Sequence, residues 1–128
     1  SQKVVNSLNN LNITCDHFSL VNHSHLQLNE LLKSANLTGK VLLIDHGWLN
    51  CSVVTSIAHS LRDNGYKGKI KILGYAQSPC PTSHVLENFF YPTASSILNS
   101  SLELLGLPLS NSTKMPISDE LLSFKGPF

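Results

Sequence analysis

The chain has 128 residues and a mass of 14.0 kDa, 41% of its residues are hydrophobic, and its formal net charge is +1. This length and apolar content suit one globular domain and exclude a wholly disordered chain. Lysines and arginines are dispersed singly, so the sequence lacks the basic surface that binds nucleic-acid phosphates or anionic lipids. The longest apolar run, residues 41–44, is far shorter than the roughly 20 residues of a membrane span.

Three cysteines, Cys15, Cys51 and Cys80, stand far apart and form no CxxC pair. So few and widely spaced thiols argue against a disulfide scaffold and predict a reducing compartment, with each cysteine acting as a small buried hydrophobe. Six Asn-x-Ser/Thr sequons leave open a secreted, glycosylated interaction domain. Because a chain rich in Asn and Ser contains several such sequons by chance, we expect a cytoplasmic protein.

Short apolar runs alternate along the chain with helical spacing, which is typical of βαβ units. In the first half the pattern predicts a helix at residues 4–11, a strand at 13–21, an amphipathic helix that Ser24 caps and that stops at Gly39, and a strand at 40–45. In the second half it predicts a turn at 46–50, a helix that carries apolar residues over 53–61 and ends at 63–65, a strand at 69–75, a short helix at 82–90, and a helix at 94–105 closed by Gly106.

This order of elements predicts an α/β fold with a mostly parallel sheet and helices on both faces, a three-layer α/β/α sandwich. Neighbouring parallel strands are expected at Ile13, Val41 and Ile70. We expect one domain over residues 1–106 and a tail over 107–128 that packs on the domain or on a partner. Three clear strands are few for a free-standing domain, so the chain is expected to be a fragment of a longer protein.

Two stretches carry a resemblance to a known family. Asp45-His46-Gly47-Trp48 resembles the D-E-G-W turn, and Leu73-Gly74-Tyr75-Ala76-Gln77-Ser78-Pro79-Cys80-Pro81 resembles the T-G-x-D-x-P-x-P loop, of the transketolase C-terminal-domain family. Within it the resemblance is to the C-terminal domain of the β subunits of thiamine diphosphate-dependent 2-oxo acid (pyruvate, branched-chain, acetoin) dehydrogenases. It extends over about residues 3–106, and His46 and Gln77 stand where the family pattern is acidic.

The resemblance implies a scaffold rather than a catalytic unit. It implies that thiamine diphosphate and magnesium belong to the parent enzyme and are bound between its other domains, with no cofactor, metal or catalytic residue in this one. The domain is then expected to contact the other domains and a second subunit and to support the active-site wall, and to be inactive alone. The expected interface residues at the end of the sheet are Asp45, His46, Gly47, Trp48, Pro79 and Pro81.

A second hypothesis is an independent α/β module. In a parallel sheet the loops at the carboxyl ends of the strands share one edge, where ligands bind. Four histidines follow predicted strands and are candidates for a metal or anion site at that edge: His23, His25, His46 and His84. Solvated or interface histidines are the alternative, since no pair has the i, i+4 spacing that forms a metal site on a helix.

Two residues of the first motif have open roles. Trp48 is expected to anchor either the inside of the domain or a subunit interface. Asp45 is expected to accept backbone N–H bonds at the start of the following helix rather than to act as a general base.

Overall fold

The computed structural model of the protein describes residues 2–20, 28–80, 82–83, 87 and 90–108. The described helices are α1 (Gln2–Asn10), α2 (Leu28–Thr38), α3 (Val53–Asp63) and α4 (Ala94–Leu105), and the strands are β1 (Lys40–Trp48) and β2 (Lys69–Tyr75). Four of the five predicted helices and two of the three predicted strands are confirmed. Most of the fifth predicted helix, at residues 82–90, lies outside the described residues, as does the predicted helix cap at Ser24. None of the described helices combines the length and the apolar character needed to cross a membrane.

The two strands form a parallel pair. Its register runs from Lys40 opposite Lys69 to Ile44 opposite Leu73. Strands at Val41 and Ile70 are therefore neighbours, as predicted. Because successive side chains of a strand point to opposite faces, both faces of β1 must be covered by other elements.

Two apolar clusters cover these faces. On one side Val41 and Leu43 pack with residues of α2, α3 and the turn after α3: Ala35, Val54, Ile57, Leu61 and Tyr66. On the other side Leu42 and Ile44 pack against residues of α1 and α4: Val4, Leu8, Ile97, Leu98 and Leu102. Each fully buried aliphatic side chain contributes about 1.5–3 kcal/mol to folding. The three-layer α/β/α arrangement is thus confirmed, with α2 and α3 on one face of the sheet and α1 and α4 on the other.

The strand predicted at residues 13–21 is wrong over 13–20, and Val21 lies outside the described residues. The Ile13 amide donates to the Leu8 carbonyl at 3.0 Å, and among the described residues no backbone hydrogen bond involves 14–20. These residues are exposed and lie outside helices and strands. Because an extended segment becomes a strand only when a neighbour pairs with it, alternating apolar character was not sufficient here.

The turn predicted at residues 46–50 begins later in the structure. β1 continues to Trp48, which lies opposite Tyr75 after an irregularity in the ladder, and a 3-10 turn at Leu49–Cys51 leads towards α3. Gly74 permits this close pairing, because a Cβ at that position would lie 2.6 Å from the Gly47 carbonyl oxygen.

Capping residues define both ends of α4. The Thr93 side chain accepts a hydrogen bond from the Ser96 amide at 3.2 Å, and the Ser96 hydroxyl accepts one from the Thr93 amide at 2.9 Å. Gly106 ends the helix with φ of 73°, a left-handed conformation in which glycine avoids the penalty of a Cβ. The proposed boundary at 106 stays a prediction, since residues 109–128 lie outside the description.

Candidate functional site

The two motif segments meet at the carboxyl end of the sheet. Trp48, from the first segment, lies opposite Tyr75 from the second. The Gln77 side-chain amide donates to the Asn50 side-chain oxygen at 3.3 Å. Sequence positions that are more than twenty residues apart therefore form one continuous surface, which we call the carboxyl rim: Asp45 to Asn50 together with Tyr75 to Pro79.

An aromatic cluster, Trp48, Tyr75, Phe90 and Tyr91, occupies this rim. The ring centre of Tyr75 lies 6.1 Å from that of Trp48, 4.9 Å from that of Phe90 and 5.0 Å from that of Tyr91. Phe90 is buried, whereas Trp48 retains 53% of its exposure. Trp48 and Tyr91 meet Tyr75 edge-to-face, whereas Phe90 is tilted against it at 35°. These ring contacts hold Trp48 from inside the chain while leaving half of it accessible.

A shallow pocket lies next to the exposed part of Trp48. Its volume is about 370 Å³, and Asn50, Gln77, Ser78 and Pro79 line it together with Trp48. The lining combines apolar rings with amide and hydroxyl groups and carries no formal charge. Such a surface suits contact with a polypeptide better than recognition of a strongly charged small molecule.

Asp45 and His46 lie at the same rim but in different settings. The Asp45 carboxylate lies beside Gly47 and, within the described part of the chain, makes no hydrogen bond; the predicted bond to a helix N-terminus is therefore wrong. The reason is that β1 continues three residues past Asp45 before any helical turn begins. His46 is exposed, and its ring lies edge-on to Tyr75 at 6.3 Å.

A thiol and a phenol meet on the outer side of the cluster. The Cys80 sulfur lies 3.6 Å from the Tyr91 hydroxyl, and this hydrogen bond, with the charge of the ionised thiol, raises the pKa of Tyr91 above its usual value. Cys15 and Cys80 are both exposed, so the prediction of buried cysteines is wrong for these two. Both lie in segments outside the helices and strands, and neither is part of the two apolar clusters.

The predicted histidine site stays a prediction. His23, His25 and His84 lie outside the described residues, so His46 is the one histidine of the four that the described residues place at the rim. Pro81 of the predicted interface also lies outside the described residues. Within the described ranges, His, Cys, Asp and Glu side chains form no group of three that would hold a metal ion.

Tyr75 is the central residue that sequence reasoning missed. It contacts His46, Trp48, Phe90 and Tyr91, yet in the sequence it appears only as one unremarked position of the second motif. Its place as the last residue of a parallel strand was the available signal, because such residues face the loops that follow neighbouring strands.

The acetoin:2,6-dichlorophenolindophenol oxidoreductase subunit beta of Bacillus subtilis (strain 168) is 34% identical to the chain over 91 residues, or 69% of the chain. The chain belongs to the transketolase C-terminal-domain family. No protein-family model matches it, so the assignment rests on this identity together with the α/β fold. The match spans 27% of the length of the Bacillus subtilis subunit.

The two sequence motifs of the transketolase C-terminal-domain family lie together at the carboxyl rim. Both motifs on which the resemblance depends fall on the carboxyl rim, on β1 and in the loop after β2. The predicted interface positions Asp45, His46, Gly47, Trp48 and Pro79 are thus brought together in space.

Proposed function

We propose that the chain is the C-terminal domain of the β subunit of a cytoplasmic, thiamine diphosphate-dependent dehydrogenase that acts on a 2-oxo acid or on acetoin. The identity to an oxidoreductase β subunit over 69% of the chain supports the enzyme class. The parallel sheet between two helical layers supports the domain type. On this proposal the domain assembles subunits and supports the wall of an active site formed by other domains.

The proposed role in assembly rests on Trp48, whose side chain is half exposed. Tryptophan and tyrosine are enriched at protein interfaces and supply much of their binding energy when they become fully buried. Tyr75 and Phe90 already fix the Trp48 ring from inside the chain, at 6.1 and 6.5 Å between ring centres. An anchor that is ordered before binding loses little side-chain entropy when a partner covers it.

The polar groups around Trp48 are suited to burial. Asn50 and Gln77 satisfy part of each other's hydrogen-bonding capacity through their bond at 3.3 Å. Burying such amides costs less than burying charges, provided that the partner supplies the remaining hydrogen bonds. His46 and Gln77 replace the acidic residues of the family pattern, so we expect the partner surface of this chain to need fewer basic residues than its relatives do.

We propose that thiamine diphosphate and magnesium are bound outside this domain, and the lining of the pocket beside Trp48 supports that proposal. Around Trp48 and Gln77 the pocket offers no basic side chain for a diphosphate, and no described cluster of acidic residues would hold the metal. When bound, this cofactor supplies stabilisation of a carbanion formed on the substrate. We therefore assign both groups to the other domains of the parent enzyme.

A chimeric enzyme tests the assembly role. The chain replaces the matched region of the Bacillus subtilis subunit, and the chimera is produced with the remaining subunits of that enzyme. We expect the wild-type chimera to assemble, and Trp48→Ala to weaken assembly at least about tenfold, because a buried aromatic anchor is worth 2 kcal/mol or more at an interface. Sedimentation velocity across a range of concentrations measures the change.

Leu37→Ala is the matched control. Leu37 is 88% exposed on α2, away from the rim, so its removal tests the loss of an exposed apolar side chain that is not an anchor. Thermal melts of both variants establish that each one folds. Equal assembly of the two folded variants would overturn the proposed role of the rim.

A further inference from the structure

The outer edge of β2, which faces away from β1, is open in the part of the chain that the structure describes. The Lys69 amide points towards β1, because it donates to the Gly39 carbonyl at 2.9 Å. Backbone groups of successive residues in a strand point to opposite edges, so those of Ile70 and Ile72 point outwards. Among the described residues no strand other than β1 pairs with β2, and these outward groups make no backbone hydrogen bond. Such an edge offers main-chain hydrogen bonds to a further strand.

The two faces of β2 differ in character along this edge. Ile70 and Ile72 belong to the apolar face, since they pack against the cluster formed with α2 and α3. Lys69 and Lys71 alternate with them and therefore lie on the opposite face, where the Lys71 ammonium donates to the Glu103 carboxylate of α4. A strand placed along this edge would have apolar neighbours on one face and lysines on the other.

Positive charge is concentrated at the start of β2. Lys40 lies directly opposite Lys69 in the register, although like charges in that position repel each other. Lys67 and Lys69 are exposed, and within the described ranges Lys71 is the one lysine that forms an ion pair with an acidic side chain. Lys40 is distant from the others in the sequence, and the pairing of β1 with β2 brings it beside them. A carboxylate next to Lys69 would therefore offset a repulsion that the fold maintains.

This charge selects among the strands that could pair with the edge. Lysines on an edge strand oppose unwanted pairing. A second copy of β2 is disfavoured here, because it would bring Lys69 and Lys71 of two chains together. A basic segment is disfavoured for the same reason, whereas an acidic segment is attracted.

We propose that the outer edge of β2 binds a partner polypeptide as an added strand, through an extended segment in which acidic and apolar residues alternate. The backbone of Ile70 and Ile72 pairs with that segment. Its acidic side chains lie next to Lys69 on the α4 side of the sheet, and its apolar side chains lie next to Ile70 and Ile72 on the other side. This edge is a different surface from the carboxyl rim, so the binding does not depend on the role proposed for Trp48.

Titration with a synthetic peptide tests the binding. The probe is a peptide of about eight residues, a usual strand length, in which glutamate and valine alternate. It is added at millimolar concentration to the 128-residue chain, and hydrogen exchange is followed residue by residue by nuclear magnetic resonance. We expect the amides of Ile70 and Ile72 to exchange at least about tenfold more slowly with the peptide than without it, since pairing protects them.

Two control peptides separate the proposed pattern from charge or strand character alone. In one, lysine replaces glutamate, and the lysines of β2 should repel it. In the other, the same glutamates and valines are grouped in separate halves, so the carboxylates no longer share one face of a strand. Neither should protect Ile70 or Ile72. Equal protection by either control overturns the proposal, as does unchanged exchange at both amides with the alternating peptide.

A charge reversal tests the contribution of the lysine. Lys69→Glu should raise the Kd for the glutamate peptide at least about fivefold, and it should allow the lysine peptide to protect the same amides. Lys33→Glu, at an exposed lysine on α2, is the matched control and should leave both results unchanged. Thermal melts establish that both variants fold. Equal binding of the glutamate peptide by the two folded variants would contradict the proposed contact.

Two other occupants of the edge give distinct results. If protection of Ile70 and Ile72 rises with the concentration of the chain alone, a second copy pairs with β2. If both amides are already protected to the same extent without peptide at every concentration, another part of the same chain occupies the edge. Either result overturns the proposal.

Discussion

The two edges of β1 belong to the same strand and differ in almost every respect. Towards β2, the register continues from Lys40 to Ile44 and resumes at Trp48, and Gly74 lies so close to the Gly47 carbonyl that no side chain fits between them. On the other edge, residues 13–18 and β1 line a groove of about 420 Å³, which we call the edge groove. A strong apolar pattern in β1 is thus sufficient to form a strand but does not by itself complete a sheet, because each edge needs its own partner.

The largest effect that separates the two edges is expected from shortening one leucine in each region. Leu61 is fully buried behind the paired strands, whereas Leu8 lines the edge groove. Leu61→Ala should lower the free energy of unfolding by about 2–5 kcal/mol, and Leu8→Ala by at least about 1 kcal/mol less, because a side chain beside an open space loses fewer contacts. Urea denaturation measures both variants; equal losses would mean that the groove is filled in solution.

A single added methyl group gives the second contrast. Gly74→Ala places a Cβ 2.6 Å from the Gly47 carbonyl oxygen and 2.8 Å from a Leu49 methyl carbon, so we expect a loss of about 1–3 kcal/mol in unfolding free energy. At Gly47 the nearest atom to such a Cβ is 3.6 Å away, and Gly47→Ala should change stability by less than about 0.5 kcal/mol. Val5→Ile adds one methyl group on the wall of the groove, and it should likewise change the unfolding free energy by less than about 0.5 kcal/mol. Urea denaturation measures the three variants. A loss of stability in Val5→Ile as large as that in Gly74→Ala would contradict the expected difference between the two edges.

The smallest expected effect is a change with pH in the stability that Tyr66 contributes; this residue lies behind the edge of β1 that pairs with β2. Burial raises the pKa of Tyr66 above 10.0, although the Arg62 guanidinium opposes this, and the Tyr66 hydroxyl donates to the Lys69 carbonyl at 3.2 Å. Because the pKa is higher in the folded chain than in the unfolded one, the stabilisation from Tyr66 is fully present below pH about 10 and decreases as pH rises through the folded-state pKa.

Tyr66→Phe measures this contribution. The variant should be less stable by about 1 kcal/mol near pH 8, the typical worth of one hydrogen bond, and the difference should narrow as pH rises above about 10. Urea denaturation at several pH values provides the measurement. A difference that stays constant with pH would show that Tyr66 does not titrate with a raised pKa.

Most of the fold followed from local patterns in the sequence. The predicted strand at residues 69–75 matches β2 at both ends, and the left-handed Gly106 closes α4 as its position predicted. Helical periodicity placed α1, α2 and α3 because each carries an apolar stripe that repeats with the helical turn. The two motifs also placed Trp48 and Pro79 at one end of the sheet, since the carboxyl ends of parallel strands share an edge.

Only the tertiary structure decided how these elements complete one another. Residues 13–20 have the apolar character of a strand, but a strand exists only where another backbone pairs with it, and that neighbour is separated by the edge groove. The central place of Tyr75 and the half-exposure of Trp48 depend in the same way on Phe90, which comes from a distant part of the chain. Local sequence fixes which conformation a segment favours, whereas its pairing and burial depend on residues that only folding brings beside it.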